Sequence, residues 1–92
     1  MKKMESNWRA FALGFLTQDQ ITKATRICAE HFVEQGDLII ASRMIMTEVI
    51  EPDWENIKVK IENLGKKEGA YPVSVMVACA CKLTVVKAGF QS

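Results

Sequence analysis

Residues 72–88 read Pro-Val-Ser-Val-Met-Val-Ala-Cys-Ala-Cys-Lys-Leu-Thr-Val-Val-Lys-Ala, a nearly uncharged stretch whose conformation decides the fold. A helix here would be apolar on almost every side, which is typical of a helix at the centre of a helical domain. An extended chain would instead form a half-buried strand of an α+β protein. Length favours the helix, because residues 73–87 would span roughly 50 Å as a strand and roughly 22 Å as a helix.

The segments before this stretch carry the periodicity and the capping residues of helices. Ser6 can cap a first helix, and Thr17 with Gln20 forms the Thr-x-x-Gln pattern of a capping box at the start of a second. Gly36 can end the second helix in the left-handed conformation that helix ends favour. These signals predict two helices before residue 37.

Three further helices are predicted in the remainder of the chain. Asp37 can cap a third helix over residues 38–50, Pro52 suits the first turn of a fourth, and Gly65 can close the fourth. Pro72 is expected to open the last helix. The residues expected to pack this last helix against the others are Val73, Val77, Ala80 and Leu83.

Strict alternation of side chains supports a different fold. Residues 57–62 alternate apolar and charged side chains, and the valine-rich residues 73–86 are compatible with a second strand. The prolines and glycines, however, stand at predicted helix starts and just beyond predicted helix ends. The sequence therefore predicts an all-α single domain over residues 1–92, with about five helices and the apolar C-terminal helix at the centre. The alternative is an α+β fold, with N-terminal helices packed on a C-terminal β-hairpin.

The composition describes a small and nearly neutral chain. Its 92 residues are enough for one domain with a modest core, and 49% of them are hydrophobic. A body of this size has little interior volume, so part of the apolar surface is expected to face a neighbour. The formal charge of +1 provides no general attraction to nucleic acid or to anionic lipid.

The cysteines and the N-terminus bear on the compartment. The chain has three cysteines, an odd number, and its N-terminus lacks the apolar region of a secretory signal. No segment reaches the roughly 20 apolar residues that a membrane helix needs. We therefore expect a cytoplasmic protein whose thiols are free.

Catalysis is not expected from the sequence. His31 is the only histidine, and no serine or cysteine lies in a context that marks a nucleophile. A Cys₃His zinc site formed by Cys28, His31, Cys79 and Cys81 is one alternative function. On a helix, however, the side chains of Cys79 and Cys81 would point about 200° apart, so this site requires the strand. We expect the cysteines to be core residues and expect no cofactor.

A small helical DNA-binding regulator is the other alternative. The second and third predicted helices, joined across Gly36, have the order of a helix-turn-helix. The second of them offers a single Arg43 to base edges, where recognition helices usually present several polar side chains. Lysines at 58, 60, 66 and 67 could contact phosphates. Nucleic acid is therefore an unfavoured partner.

Two groups of side chains are candidates for contact with another protein. The first is an aromatic stripe near the N-terminus, and the second is an acidic corner beside a tryptophan. The stripe consists of Trp8, Phe11 and Phe15, and the corner of Glu48, Glu51, Asp53, Trp54 and Glu55. The predicted function is a non-catalytic protein-binding module, a small cytosolic regulator or inhibitor that docks on another protein and can also form a homo-oligomer.

Overall fold

The computed structural model describes residues 13–87, and within this range the fold consists of helices without any strand. Three helical segments follow one another, over residues 18–33, 38–63 and 70–87. The first is α1 (Gln18–Ile27) continued by a π-helical turn (Cys28–Val33). The second joins α2 (Leu38–Ile45), a π-helical turn (Met46–Ile50), a 3₁₀ turn (Glu51–Asp53) and α3 (Trp54–Asn63). The third is α4 (Ala70–Lys87).

The ends of the segments are stabilised as the local sequence predicts. The Thr17 hydroxyl accepts from the Gln20 backbone N–H at 3.2 Å, and the Gln20 side chain accepts from the Thr17 backbone N–H at 2.8 Å. The Asp37 carboxylate likewise accepts from the Ile40 backbone N–H at 3.0 Å. Gly36 and Gly65 have φ values of 70° and 79°, in the region where a side chain would be strained. The capping box, the Asp37 cap and both glycine stops are thus confirmed.

The prediction of five helices is wrong, because the structure has three helical segments in the described range. The predicted third and fourth helices belong to one segment, since the Glu51–Asp53 turn joins them without an intervening loop, although Asp53 itself has a non-helical backbone with φ −123° and ψ 24°. Pro52 lies inside this turn, where a missing N–H and a fixed φ are tolerated, so the proline does not end the segment. Most of the predicted first helix, which Ser6 would cap, lies outside the described residues.

Burial in α3 contradicts the strand interpretation directly. Ile57 and Ile61 have exposed fractions of 0% and 2%, whereas Val59 between them is 53% exposed. In a strand these three side chains would share one face, and in a helix the middle one points away from the other two. The alternating pattern is therefore produced by a helix, and the α+β alternative is wrong.

The C-terminal helix contacts both other segments, and its most extensive packing is against α2. Val73, Val77 and Ala80 are buried as predicted, but Leu83 is 38% exposed. Each step of three residues turns the side chain about 60° back around a helix, so a stripe extended to Leu83 leaves the buried face. The side facing the other segments instead carries small residues, which allow a close approach. They are Ser74, Ala78 and Cys81.

Ser42 is the one described polar side chain that is buried without a hydrogen-bond partner. We expect Ser42→Ala to raise the free energy of unfolding by about 1 kcal/mol, because the variant no longer buries an unsatisfied hydroxyl. The matched control is Ser74→Ala, since the equally buried Ser74 hydroxyl donates to the Ala70 carbonyl at 2.9 Å. Urea unfolding of both variants measures the difference. A loss of stability in Ser42→Ala that equals or exceeds the loss in Ser74→Ala would contradict the prediction.

Candidate functional site

The aromatic stripe predicted as a contact element is only partly described. Trp8 and Phe11 lie outside the described residues. Phe15 is 3% exposed and belongs to the hydrophobic core. Its side chain therefore stabilises the domain as the structure stands, and a contact between the stripe and a partner stays a prediction.

The acidic corner is brought together where the second segment changes from π-helical to 3₁₀ geometry, close to the start of α1. Asp53 accepts hydrogen bonds from the Gln20 amide at 2.9 Å and from the Asn56 amide at 2.7 Å. These two bonds, first that of Gln20 and then that of Asn56, lower the pKa of the Asp53 carboxyl. Asp53 thus ties the second segment to α1.

The other members of the corner differ in how freely they face solvent. Glu48 lies 3.9 Å from the Lys23 ammonium, a long contact between two largely exposed side chains. Trp54 is half-buried and packs against the core, so much of its ring already has a protein neighbour. Glu51 and Glu55 are exposed. The corner therefore presents two carboxylates without a described ion-pair partner and only part of an aromatic ring.

A second surface, which the sequence analysis missed, lies on the outer side of α2. In the first turn of α2, the exposed fractions of Ile39 and Ile40 are 59% and 43%. Tyr71, in the first turn of α4, is 39% exposed. We call the depression between the two helices the Arg43 groove. It is lined by Ile39, Arg43, Met46, Thr47 and Tyr71.

Part of this surface had a signal in the sequence. In the sequence, Leu38, Ala41 and Ile45 have the spacing of one helical stripe, and this stripe leaves both Ile39 and Ile40 without an assigned role. A helix that is apolar beyond its core stripe has a second apolar side to cover. Tyr71 had no such signal, because the last helix was expected to open at Pro72, whereas the structure begins α4 two residues earlier, at Ala70.

The three cysteines are free, and none has the environment of a reactive thiol. Cys28 is fully buried and donates to the Ala78 carbonyl at 3.3 Å. Burial, followed by the nearby Cys81 and Cys79, raises the pKa of Cys28 to about 12. Burial also raises the pKa of Cys79 and of Cys81. Thiols that stay protonated at neutral pH are poor nucleophiles and poor metal ligands.

The residues of the zinc hypothesis are not assembled into a site. Cys28 is enclosed in the core, whereas His31 is half-buried and lies 3.9 Å from the exposed Glu30 carboxylate. Among residues 13–87, no group of three or more histidine, cysteine, aspartate or glutamate side chains is arranged to hold a metal ion. The Cys₃His set therefore has no preformed geometry in this part of the chain.

The surface lysines are mixed with acids. The side chains at 58, 60, 66 and 67 are all exposed. Lys58 and Lys67 border a depression that Glu62 and Glu68 also line. Alternating charges of this kind weaken attraction for a phosphate backbone. The outer side of α2, which a helix-turn-helix would present to DNA, exposes two isoleucines and Arg43.

Comparison with known proteins gives no relative for this chain: no family model, no curated protein and no solved structure matches it. A separate property of the described helices is that none of them has the length and apolar character required to cross a membrane.

Proposed function

We propose that this chain is a non-catalytic protein-binding module whose docking surface is the outer side of α2 together with Tyr71. The observation that carries the proposal is the exposure of Ile39 at 59%, beside Ile40 and Tyr71, on a helix whose opposite side is already filled by the core. Large apolar side chains grouped in this way mark surfaces that another molecule covers. Burying them would supply about 25 cal/mol per Å² before the cost of association.

The environment of the potentially reactive groups is consistent with a binding role. The buried thiols have raised pKa values, so they lack the thiolate that covalent catalysis needs. Our proposal is that the domain acts by occupying the surface of another protein, as a small regulator or inhibitor does. We place it in a reducing cytoplasm, where its three free thiols would persist.

The test compares two surface variants of similar exposure. Ile39→Ser removes an apolar side chain from the docking surface, and Val59→Ser removes one that is 53% exposed on α3. Each variant and the wild type would serve as bait in quantitative affinity purification from the native cell. We expect a specific protein to be retained by wild type and Val59→Ser and to be depleted at least about ten-fold with Ile39→Ser, which corresponds to about 1.4 kcal/mol of binding free energy.

Three measurements decide the outcome. Circular dichroism must show the same helix content in all baits, and the retained protein must bind the purified domain directly. Equal retention by the two variants would contradict the proposed surface. Light scattering on the purified domain tests homo-oligomerisation: a dimer that Ile39→Ser dissociates would place a second copy on this surface and overturn the proposal of a different partner.

A further inference from the structure

Arg43 is the charged member of an otherwise uncharged groove. Its neighbours in the lining are the apolar Ile39 and Met46, the hydroxyl-bearing Thr47 and the aromatic Tyr71. In the described part of the chain, the two contacts within 4.0 Å between a carboxylate and a basic side chain involve Lys23 and His31, not Arg43. The exposed Arg43 guanidinium is therefore available to a ligand.

Covering the groove would change the energetics of this guanidinium. A molecule that packs on Ile39, Met46 and Tyr71 removes water from Arg43 between them. A charge that loses its water without gaining a partner destabilises the complex strongly. A carboxylate presented at the right position compensates for that loss, and the planar guanidinium can bind it through two parallel hydrogen bonds. The groove therefore discriminates against a purely apolar occupant.

A second copy packed groove against groove does not meet this requirement. In a two-fold symmetric contact, the same patch serves on both partners. The lining of the groove contains no carboxylate, so each Arg43 would be covered by uncharged side chains or by the other Arg43. Nucleic acid fits poorly as well, because phosphate binding relies on several cations and the groove contains one.

The row of residues along one side of the groove is suited to a helical ligand. Ile39, Arg43 and Thr47 follow one another at intervals of four residues along the second segment, a row of about 12 Å at 1.5 Å per residue. Tyr71, from the first turn of α4, completes the lining. The described fold has no strand whose edge a peptide could extend, whereas an amphipathic helix laid in an apolar groove is a recurrent mode of recognition.

We propose that the Arg43 groove binds an amphipathic helical segment of another protein, in which an aspartate or glutamate lies between apolar anchors and pairs with Arg43. This inference rests on the proposed function and specifies its partner. The apolar anchors pack on Ile39 and Tyr71 and provide affinity. The carboxylate provides selectivity, because its absence leaves Arg43 buried and unpaired.

A displayed peptide library provides the test. The peptides have about 16 residues, with apolar residues fixed at helical spacing and every other position random. Selection uses the wild-type domain, and counter-selection uses Tyr71→Ser. We expect enriched peptides to carry an acidic residue between two anchors. A fluorescently labelled peptide from this set should bind Arg43→Gln at least about ten-fold more weakly than wild type.

Two controls isolate the charge. Arg26→Gln removes another exposed arginine, on α1, and should leave the affinity of the peptide unchanged. The Arg43→Glu variant should not bind the acidic peptide. The same variant should bind a peptide in which lysine replaces the acidic residue. This charge exchange distinguishes a direct pair from a change in the fold of the domain.

The outcomes separate this inference from the proposed function. Peptides that depend on Ile39 and Tyr71, but carry no enriched acid and bind Arg43→Gln normally, would overturn the inference and leave the docking surface intact. A library that yields no peptide, or only peptides indifferent to Ile39 and Tyr71, would overturn both. Binding of a labelled DNA duplex at low salt that is lost in Arg43→Gln would assign the groove to phosphate and overturn the acidic helix.

Discussion

Replacing Ile45 by alanine is expected to lower the free energy of unfolding by about 2–5 kcal/mol. Ile45 is fully buried in α2, within the core that this helix shares with α1 and α4. The shortened side chain loses apolar contacts, and the close packing of helices around it allows the cavity to collapse only partly. In a small domain, a loss of this size is a large fraction of total stability. Chemical denaturation followed by circular dichroism measures it.

The matched control is Ile39→Ala, six residues earlier in the same helix. Ile39 is 59% exposed, so the same chemical change should alter stability by no more than about 0.5 kcal/mol. The difference between the variants isolates burial from the helix propensity of alanine, which both gain. Similar effects for Ile45→Ala and Ile39→Ala would show that the helix does not present the faces described here.

Alkaline pH is expected to destabilise the wild-type domain through Cys28. Burial raises the pKa of this thiol from 9.0 to about 12, so between these values the unfolded chain has released a proton that the folded chain retains. The unfolded state therefore binds fewer protons, and the free energy of unfolding falls as pH rises, by about 1.4 kcal/mol for each pH unit. Below pH 9.0 the thiol is protonated in both states, so its contribution there is independent of pH.

Comparison with Cys28→Ala removes the contribution of other groups that titrate in the same range. The variant lacks the Sγ contact with the Ala78 carbonyl, so it starts with a lower stability that does not depend on pH. We expect the advantage of wild type over Cys28→Ala to shrink between about pH 9 and about pH 11, in urea unfolding under reducing conditions. An advantage that stays constant over this range would mean that Cys28 ionises as readily in the folded state as in the unfolded chain.

The local sequence predicts the ends of the helical segments well. The capping box of Thr17 and Gln20, the Asp37 cap and the stops at Gly36 and Gly65 all occur in the structure. Each depends on hydrogen bonds or backbone angles within a few residues, so the information that specifies it lies in the same short stretch of chain. The helical conformation of residues 72–87 was predicted for a different reason, because a strand of that length would be too long for one small domain.

The candidate site was predicted less completely. The sequence indicated an acidic corner, and the structure assembles it but uses Asp53 for an internal link to Gln20. For the Arg43 groove, the sequence contained a weak signal at Ile39 and none at Tyr71. These two side chains become neighbours only when α2 and α4 pack together. Pro52 does lie in the first turn of a helical element, but that element is a 3₁₀ turn that joins the preceding π-helical turn to α3.

The sequence alone accounts for the helical conformation of the described residues and for the caps at the ends of the helical segments. It also accounts for the small size and the low net charge of the domain. Packing between segments accounts for which isoleucine is buried, for the raised pKa of Cys28 and for the groove around Arg43. The physical reason is the range of the interactions. Backbone hydrogen bonds in a helix join residues four positions apart, whereas burial depends on which distant segments remove a side chain from water.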